Sequence, residues 1–205
     1  MNHKVNSVQS LHDDAYGLFT NVVIGSGDYS ADTIINNLSN GIQILKGSWE
    51  GKDAGVQIQN IVLVHNAMVG IRNSLAALAV DSVKIATNYR EIQNSNGAGL
   101  ESFSPISCED KTMLEDYTDV RDSVNITPEA NNGKAKIDTA VGSMDNFISE
   151  VKRYYELIMN NWTAGTGRDK AQEAFDMFIS NSNKYKETLV SASNSISTAI
   201  QNYSF

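Results

Sequence analysis

Residues 31–64 read ADTIINNLSNGIQILKGSWEGKDAGVQIQNIVLV, two apolar-striped segments on either side of a Trp-Glu-Gly turn. Counting back from Trp49 in alternating steps of four and three meets only apolar side chains: Leu45, Ile42, Leu38, Ile35 and Ala31. Beyond Gly51 the same spacing continues through Ile61, Val64, Met68, Ile71, Leu75, Leu78, Ser82, Ile85, Tyr89 and Ile92. Apolar residues at this spacing line one face of an α-helix, so the stretch predicts two amphipathic helices joined at Trp49.

The pattern is repeated in the second half of the chain. Back from Trp162 the apolar series is Ile158, Tyr155, Val151, Ile148, Met144, Val141 and Ile137. After the following turn it resumes as Ala171, Phe175, Phe178, Ser182, Tyr185, Leu189, Ala192, Ile196, Ala199 and Tyr203. Four-three spacing sustained over several heptads favours helices that pack lengthwise in a bundle. No stretch of comparable length alternates with period two, so no sheet is predicted.

Each tryptophan ends an apolar series beside a glycine-bearing turn. The first turn carries Gly51, and the second carries Gly165 and Gly167. Glycine just past a periodic run is typical of a helix C-terminus, where a left-handed residue is often needed. A tryptophan beside such a turn can pack over the end of the partner helix. Trp49, Gly51, Trp162, Gly165 and Gly167 are therefore the candidate functional residues, with packing and docking roles that the sequence does not separate.

A helix, a Trp-x-Gly turn and a second helix within just under a hundred residues resemble the WXG superfamily. These are small helical hairpins of the early-secreted-antigen type, exported by type VII secretion systems. Residues 1–95 fit that length, with Trp49-Glu50-Gly51 at the middle. Residues 134–205 are similar, with a longer turn after Trp162 and a leading helix that looks shorter. The resemblance implies a tandem of two hairpins that acts by binding other proteins.

Members of that family usually carry an export signal near the C-terminus, a tyrosine followed four residues later by Asp or Glu. None of the eight tyrosines here meets that pattern: Gln93 follows Tyr89 at that distance, and Leu189 follows Tyr185. The position of an export signal is therefore not predicted.

The predicted domain organisation is a first hairpin at 1–95, an acidic connector at 96–133 and a second, divergent hairpin at 134–205. Both prolines, Pro105 and Pro128, fall in the connector, as uninterrupted helices on either side require. The connector carries 8 acidic residues against 2 basic ones, which favours a solvated face or attraction to a basic partner. One short acidic helix is predicted here from apolar residues at helical spacing behind a Ser107 cap: Met113, Tyr117, Val120 and Val124.

A further helix is predicted before the first hairpin. Apolar residues recur at helical spacing from Val5 to Val22, before Gly25-Ser26-Gly27 interrupts them. The pattern fits either a separate helix or the start of a kinked long one. Asp28 or Ser30 is the expected cap of the restart.

The composition favours a binding protein over an enzyme. The histidines His3, His12 and His65 are scattered and show no metal-ligand spacing on one helix. Cys108 is the single cysteine and has no internal disulfide partner. A net charge of -8 argues against nucleic acid as a ligand, because phosphate neutralisation dominates that affinity. No catalytic residue, cofactor site or metal site is predicted.

The N-terminus lacks the apolar core of a cleavable signal peptide. The most apolar window, residues 61–80, is interrupted by polar side chains, which favours a buried helix over a membrane span. Together with the family resemblance, this implies a protein that is cytoplasmic before export and is secreted without a cleavable signal peptide.

The resulting prediction is an all-α protein. Two helical hairpins, each with a Trp-containing turn, form an elongated antiparallel four-helix bundle with a short connector helix. The expected function is that of a non-enzymatic type VII secretion substrate or secretion partner, bound to the secretion machinery or a cognate effector. The alternatives are a chaperone or targeting adaptor for a larger secreted effector, a self-assembling helical structural protein, and a membrane-active protein. A monomer with an internal pseudo-dimer and a homodimer both fit.

Overall fold

The structure is a computed structural model that describes residues 4–164 and 166–203. It is an all-α helical bundle, as the sequence predicts. The helices are α1 (Val8–Gly17), α2 (Ala31–Ser48), α3 (Lys52–Ser95), α4 (Ala130–Asn161) and α5 (Thr166–Asn202). A π-helical segment, Leu18–Val23, extends α1.

The four long helices pack around one hydrophobic core. Helix α2 lies against α3 and α4, while α5 lies against the same two helices from the other side. Helix α1 packs on α3 and α4. The largest fully buried side chains come from the chain before α5: Trp162, Phe147, Leu11, Leu18, Ile34, Leu38, Leu45, Ile58, Ile61, Met68, Ile126 and Ile137. Helix α5 adds the buried side chains Leu189, Ala192 and Ile196. Most of the predicted apolar series faces this core, but Ile92 and Tyr203, at the ends of two series, are 58% and 46% exposed.

Two glycines let α2 and α4 approach closely. A Cβ on Gly41 would stand 3.1 Å from the carbonyl oxygen of Gly133, and a Cβ on Gly133 would stand 3.3 Å from the carbonyl oxygen of Gly41. The side chains of Ile137 and Leu45 fill the remaining space. Larger residues at either position would push the two helices apart.

The prediction that the chain has no sheet is wrong, because four very short strands in the described part of the chain form two antiparallel pairs. These are β1 (Lys4–Val5), β2 (Trp49–Glu50), β3 (Asn125–Ile126) and β4 (Trp162–Ala164). Strand β1 pairs with β4, and β2 pairs with β3. Segments of two or three residues are too short to show a period-two pattern, so periodicity does not detect them.

The segment before the first Trp turn is a separate helix rather than the start of one kinked helix. Helix α1 and its π-helical extension end at Val23, and α2 begins afresh at Ala31. Ser30 caps the restart: its hydroxyl accepts a hydrogen bond from the N–H of Thr33 at 3.2 Å and donates one to the carbonyl of Gly25.

The connector helix was wrongly predicted. Residues 98–124, named the strap from here on, have no regular secondary structure. They run back along α3 from its C-terminal end towards its N-terminal end: Glu101 contacts Arg90, and Asp119 contacts Gly51. Helical spacing misleads here because side chains of α3, rather than a neighbouring turn of helix, satisfy the strap's main chain.

The second half also differs in detail from the prediction. Its leading helix, α4, has 32 residues against 18 in α2, so it is longer than the helix that enters the first turn. Helix α4 begins at Ala130, inside the predicted connector. Gly167 lies within α5, so it does not end a helix.

Candidate functional site

The first Trp turn is a buried strand-like junction between α2 and α3. Trp49 is only 2% exposed, and its backbone N–H donates to the carbonyl of Leu45 at the end of α2. In β2 it stands opposite Ile126, and the N–H of Thr127 donates to the carbonyl of Ser48 at 2.8 Å. The indole therefore closes this end of the core, while the backbone around it is held by the segment that leads into α4.

Gly51 is required by the conformation of this turn. Its φ is +115°, in the region that side-chain-bearing residues rarely adopt. A Cβ there would also lie 2.8 Å from the carbonyl oxygen of Ser123. The Gly51 carbonyl accepts from the N–H of Gly55 at 2.9 Å, which begins α3. Glycine is thus required at this motif position for two reasons: the positive φ angle and the close approach of the strap's backbone.

An ion-pair network ties the end of the strap to this turn. The carboxylate of Asp119 accepts from the N–H of Gly51 at 2.9 Å and from Nη2 of Arg121 at 2.7 Å. Arg121 also reaches Glu50 at 2.7 Å. Hydrogen bonding to Arg121 and then to Gly51 holds the pKa of Asp119 below its usual range, so it stays ionised.

A groove opens beside this turn, between the start of α3 and the face of α5. Its volume is about 970 Å³. Trp49, Asp53 and Val124 line one wall; Glu187, Val190, Tyr203 and a row of Asn and Ser side chains from α5 line the other. Val56 on α3 is 58% exposed at its edge. The groove can take an apolar segment with polar groups along one side.

The second Trp turn is built in a comparable way. Trp162 is 1% exposed and stands opposite Val5 in the pairing of β4 with β1. The N–H of Asn6 donates to the carbonyl of Asn161 at 2.9 Å, and Nε of Arg168 donates to the carbonyl of Trp162 at 3.0 Å. At both turns, the strand after one helix pairs with the strand that precedes a helix from the other half of the chain.

The structure does not bring the candidate residues together in one site. Trp49 and Gly51 lie where α4 begins, and Trp162 lies where α4 ends, about 48 Å away for a helix of that length. Gly165 lies outside the described residues. The candidates therefore form two ends of one bundle, of which the Trp49 end carries the groove.

The described residues show no cluster of His, Cys, Asp or Glu that could hold a metal ion. His65 is buried, and desolvation lowers its pKa, so it is neutral and packed at pH 7. Helix α3 is long and apolar enough to cross a membrane by length and composition, but most of that window is buried in the bundle. A core helix passes the same test.

Comparison with known proteins finds no family model, no curated protein and no solved structure that matches this chain. The site therefore has to be interpreted from its own geometry.

Sequence reasoning missed several residues that build the Trp49 end. Asp119 and Arg121 lie in the strap, where a charge run suggests only a solvated face. Val190 on α5 and Tyr203 directly after it line the groove. The predicted apolar series includes Tyr203 as a core-facing residue and does not include Val190. An available signal was the i, i+2 spacing of Asp119 and Arg121, since these side chains share one side of an extended chain.

Proposed function

We propose that this protein is a non-enzymatic type VII secretion substrate or secretion partner, which acts through helical protein–protein interaction. It binds the secretion machinery or a cognate effector and is exported by that machinery. The Trp49 end of the bundle is the docking end.

The observation that supports this proposal is the reciprocal pairing of the two Trp turns. Strand β2, with Trp49, pairs with the strand that leads into α4; β4, with Trp162, pairs with the strand that leads into α1. The two pairings are not fully equivalent, because α1 stands between β1 and α2, whereas β3 leads almost directly into α4. Their reciprocity supports the proposal of two WXG-like hairpins joined in tandem.

The groove supports docking at the Trp49 end in particular. Val56 and Val190 are exposed there at 58% and 39%. Lys186 also lines the groove but is paired with Asp145. Asp53 and Glu187 make no ion pair among the described residues, so two carboxylates of the groove are available. These features suit a partner segment that carries apolar side chains and a basic residue.

Export in a bacterium with a type VII system tests the proposal. We expect the wild-type chain in the culture supernatant, and its retention in the cell when the system's ATPase is deleted. Val190→Glu should reduce export at least tenfold without loss of helicity. Met177→Glu is the matched control, because Met177 is also exposed on α5 but lies outside the groove lining. Export that is independent of the ATPase would contradict the proposal.

The groove also suits the alternative function, an adaptor that stays with a larger secreted effector. In that case the chain remains in the cell, while export of the effector fails when the chain carries Val190→Glu. The same strains therefore distinguish the two functions.

A further inference from the structure

The strap is held along α3 by a regular series of amide side chains. Nδ2 of Asn66 donates to the carbonyl of Leu114 at 2.8 Å, and its Oδ1 accepts from the N–H of the same residue at 2.8 Å. Asn73 binds the carbonyl and N–H of Lys111 in the same way, each at 3.0 Å. Each asparagine thus replaces the neighbouring strand that an extended chain would have in a sheet.

A third amide continues the series. Oε1 of Gln59 accepts from the N–H of Tyr117 at 2.6 Å, and its Nε2 donates to the carboxylate of Asp116 at 2.7 Å. Gln59, Asn66 and Asn73 are spaced by seven residues on α3, while their main-chain partners are spaced by three on the strap.

These two spacings match in length. Seven residues of α-helix rise about 10.5 Å, and three residues of extended or polyproline-like chain cover about 9 to 10 Å. A helix with an amide at every second turn can therefore follow an extended chain in register. Apart from the carboxylate of Asp116, the amide series binds main-chain groups and not the strap's exposed side chains.

Side chains add direction and charge to this recognition. Leu114 and Tyr117 pack against the core, and Lys46 lies over the Tyr117 ring at 4.6 Å. Arg72, 4% exposed, donates to the carbonyl of Glu109 at 2.6 Å, and Lys52 pairs with Asp122. Arg72 is itself paired with Asp32, which also faces Lys111 of the strap. Lys52 is therefore the cation that this surface offers to an acidic side chain of the strap among the described residues.

The backbone of the strap lies very close to α3 near the N-terminal end of that helix. A Cβ on Gly55 would stand 2.7 Å from the backbone nitrogen of Asp119 and 2.9 Å from its carbonyl oxygen. The helix surface is thus shaped to admit a main chain at this point.

We propose that α3 carries a binding site for an extended acidic polypeptide, which the strap fills in cis and which a partner's segment of the same pattern can occupy in its place. The pattern is an aliphatic residue followed three positions later by an aromatic one, with acidic residues around them. This inference is independent of the proposed secretion function, because it rests on α2, α3 and the strap alone.

The test weakens the contact of the strap with α3 in the protein and then adds the strap sequence as a separate peptide. In the full chain, Lys111→Pro, Leu114→Pro and Tyr117→Pro remove the three N–H donors that the amides bind. The matched control places prolines one position later, as Thr112→Pro, Glu115→Pro and Thr118→Pro, at exposed residues whose N–H groups make no hydrogen bond among the described residues.

A fluorescein-labelled peptide of residues 105–122 is then titrated and followed by anisotropy. We expect it to bind the first variant at least tenfold more tightly than the wild type or the control chain. Adding Asn66→Ala and Asn73→Ala to the first variant should weaken binding at least tenfold. N-methylation of the peptide at Leu114 should do the same, whereas N-methylation at the exposed Met113 should not.

A first variant with wild-type helicity that takes up the peptide no better than the wild type would overturn the proposal. Equal binding with and without Asn66 and Asn73 would do so as well. If the proline variant loses its helicity, the wild-type chain is instead cleaved at a protease site inserted at residues 97–99, where Gly97 and Gly99 face open space. If that cleaved chain stays folded but does not exchange its strap for the peptide, the proposal is also overturned.

Discussion

At the scale of single residues, the two tryptophans occupy equivalent buried positions at opposite ends of the bundle. Both are at most 2% exposed, and each stands in a strand that follows a long helix. The apolar series in the sequence predicted their burial, because each tryptophan continues the stripe of the helix before it. Their pairing partners, Ile126 and Val5, were not predictable, since two-residue strands leave no pattern.

Trp49→Ala and Trp162→Ala should destabilise the protein by similar amounts, about 3 to 5 kcal/mol each, because each removes a fully packed indole. Urea unfolding followed by circular dichroism measures both. Met177→Ala, at a position 67% exposed, should change stability by less than about 0.5 kcal/mol. A large effect of only one tryptophan would contradict the equivalence of the two turns.

His65 connects the core to the strap, because its Nδ1 lies 3.0 Å from Oδ1 of Asn66. Burial lowers its pKa in the folded state, and the positive charge of Lys111 acts in the same direction. The unfolded chain therefore binds more protons as the pH falls below about 6.5, so stability is lost through that range.

We expect the wild type to lose more stability between pH 7.5 and pH 5.5 than the variant His65→Phe, which cannot titrate there. The measurement is urea unfolding of both proteins at each pH. The remaining histidines are common to both chains and cancel in the difference. Identical pH slopes would show that His65 is not buried as described.

At the scale of the elements, helix positions followed from the sequence and the strap did not. Met113, Tyr117 and Val120 have helical spacing, yet their segment has no regular secondary structure. A helix there would satisfy its own N–H and carbonyl groups; in the protein, Asn66 and Asn73 satisfy them instead. Two asparagines within an apolar helix give no sign of this role until the segment opposite them is known.

The strap should show selective protection from amide exchange. The N–H groups of Lys111, Leu114 and Tyr117 are bound by side chains of α3, so they should exchange more slowly than those of Thr112 and Glu115. Residue-resolved hydrogen exchange by NMR measures this.

Asn66→Ala should release the Leu114 amide, while that of Tyr117, held by Gln59, keeps most of its protection. The control Asn60→Ala lies on the same helix at a residue with no hydrogen bond to the strap among those described. Uniform fast exchange along the strap would contradict the clamp geometry.

The contact of α2 with α4 makes a further prediction. Gly41→Ala should destabilise the protein by about 1 to 3 kcal/mol, because its Cβ would be 2.7 Å from Cδ1 of Ile137 and 3.1 Å from a backbone oxygen. Gly142→Ala, on α4 with nothing within 4 Å, should stabilise by up to about 1 kcal/mol through helix propensity. Thermal unfolding compares the two, and effects of the same sign would contradict the close approach.

At the scale of the whole molecule, one chain supplies both members of each pairing. The turn at Trp49 is completed by β3, the turn at Trp162 by β1, and a single core runs between them. The bundle was predictable from the four apolar series. The groove beside Trp49 was not, because it depends on how α5 sits against the start of α3.

Molar mass by light scattering across a dilution series, with helicity followed by circular dichroism, tests this self-contained arrangement most directly. We predict a monomer of about 22.4 kDa that keeps its full helicity at the lowest concentration, because both strand pairings of the described residues are made within the chain. A dimer, or loss of helicity on dilution, would show that the two halves pair between chains and would contradict the account.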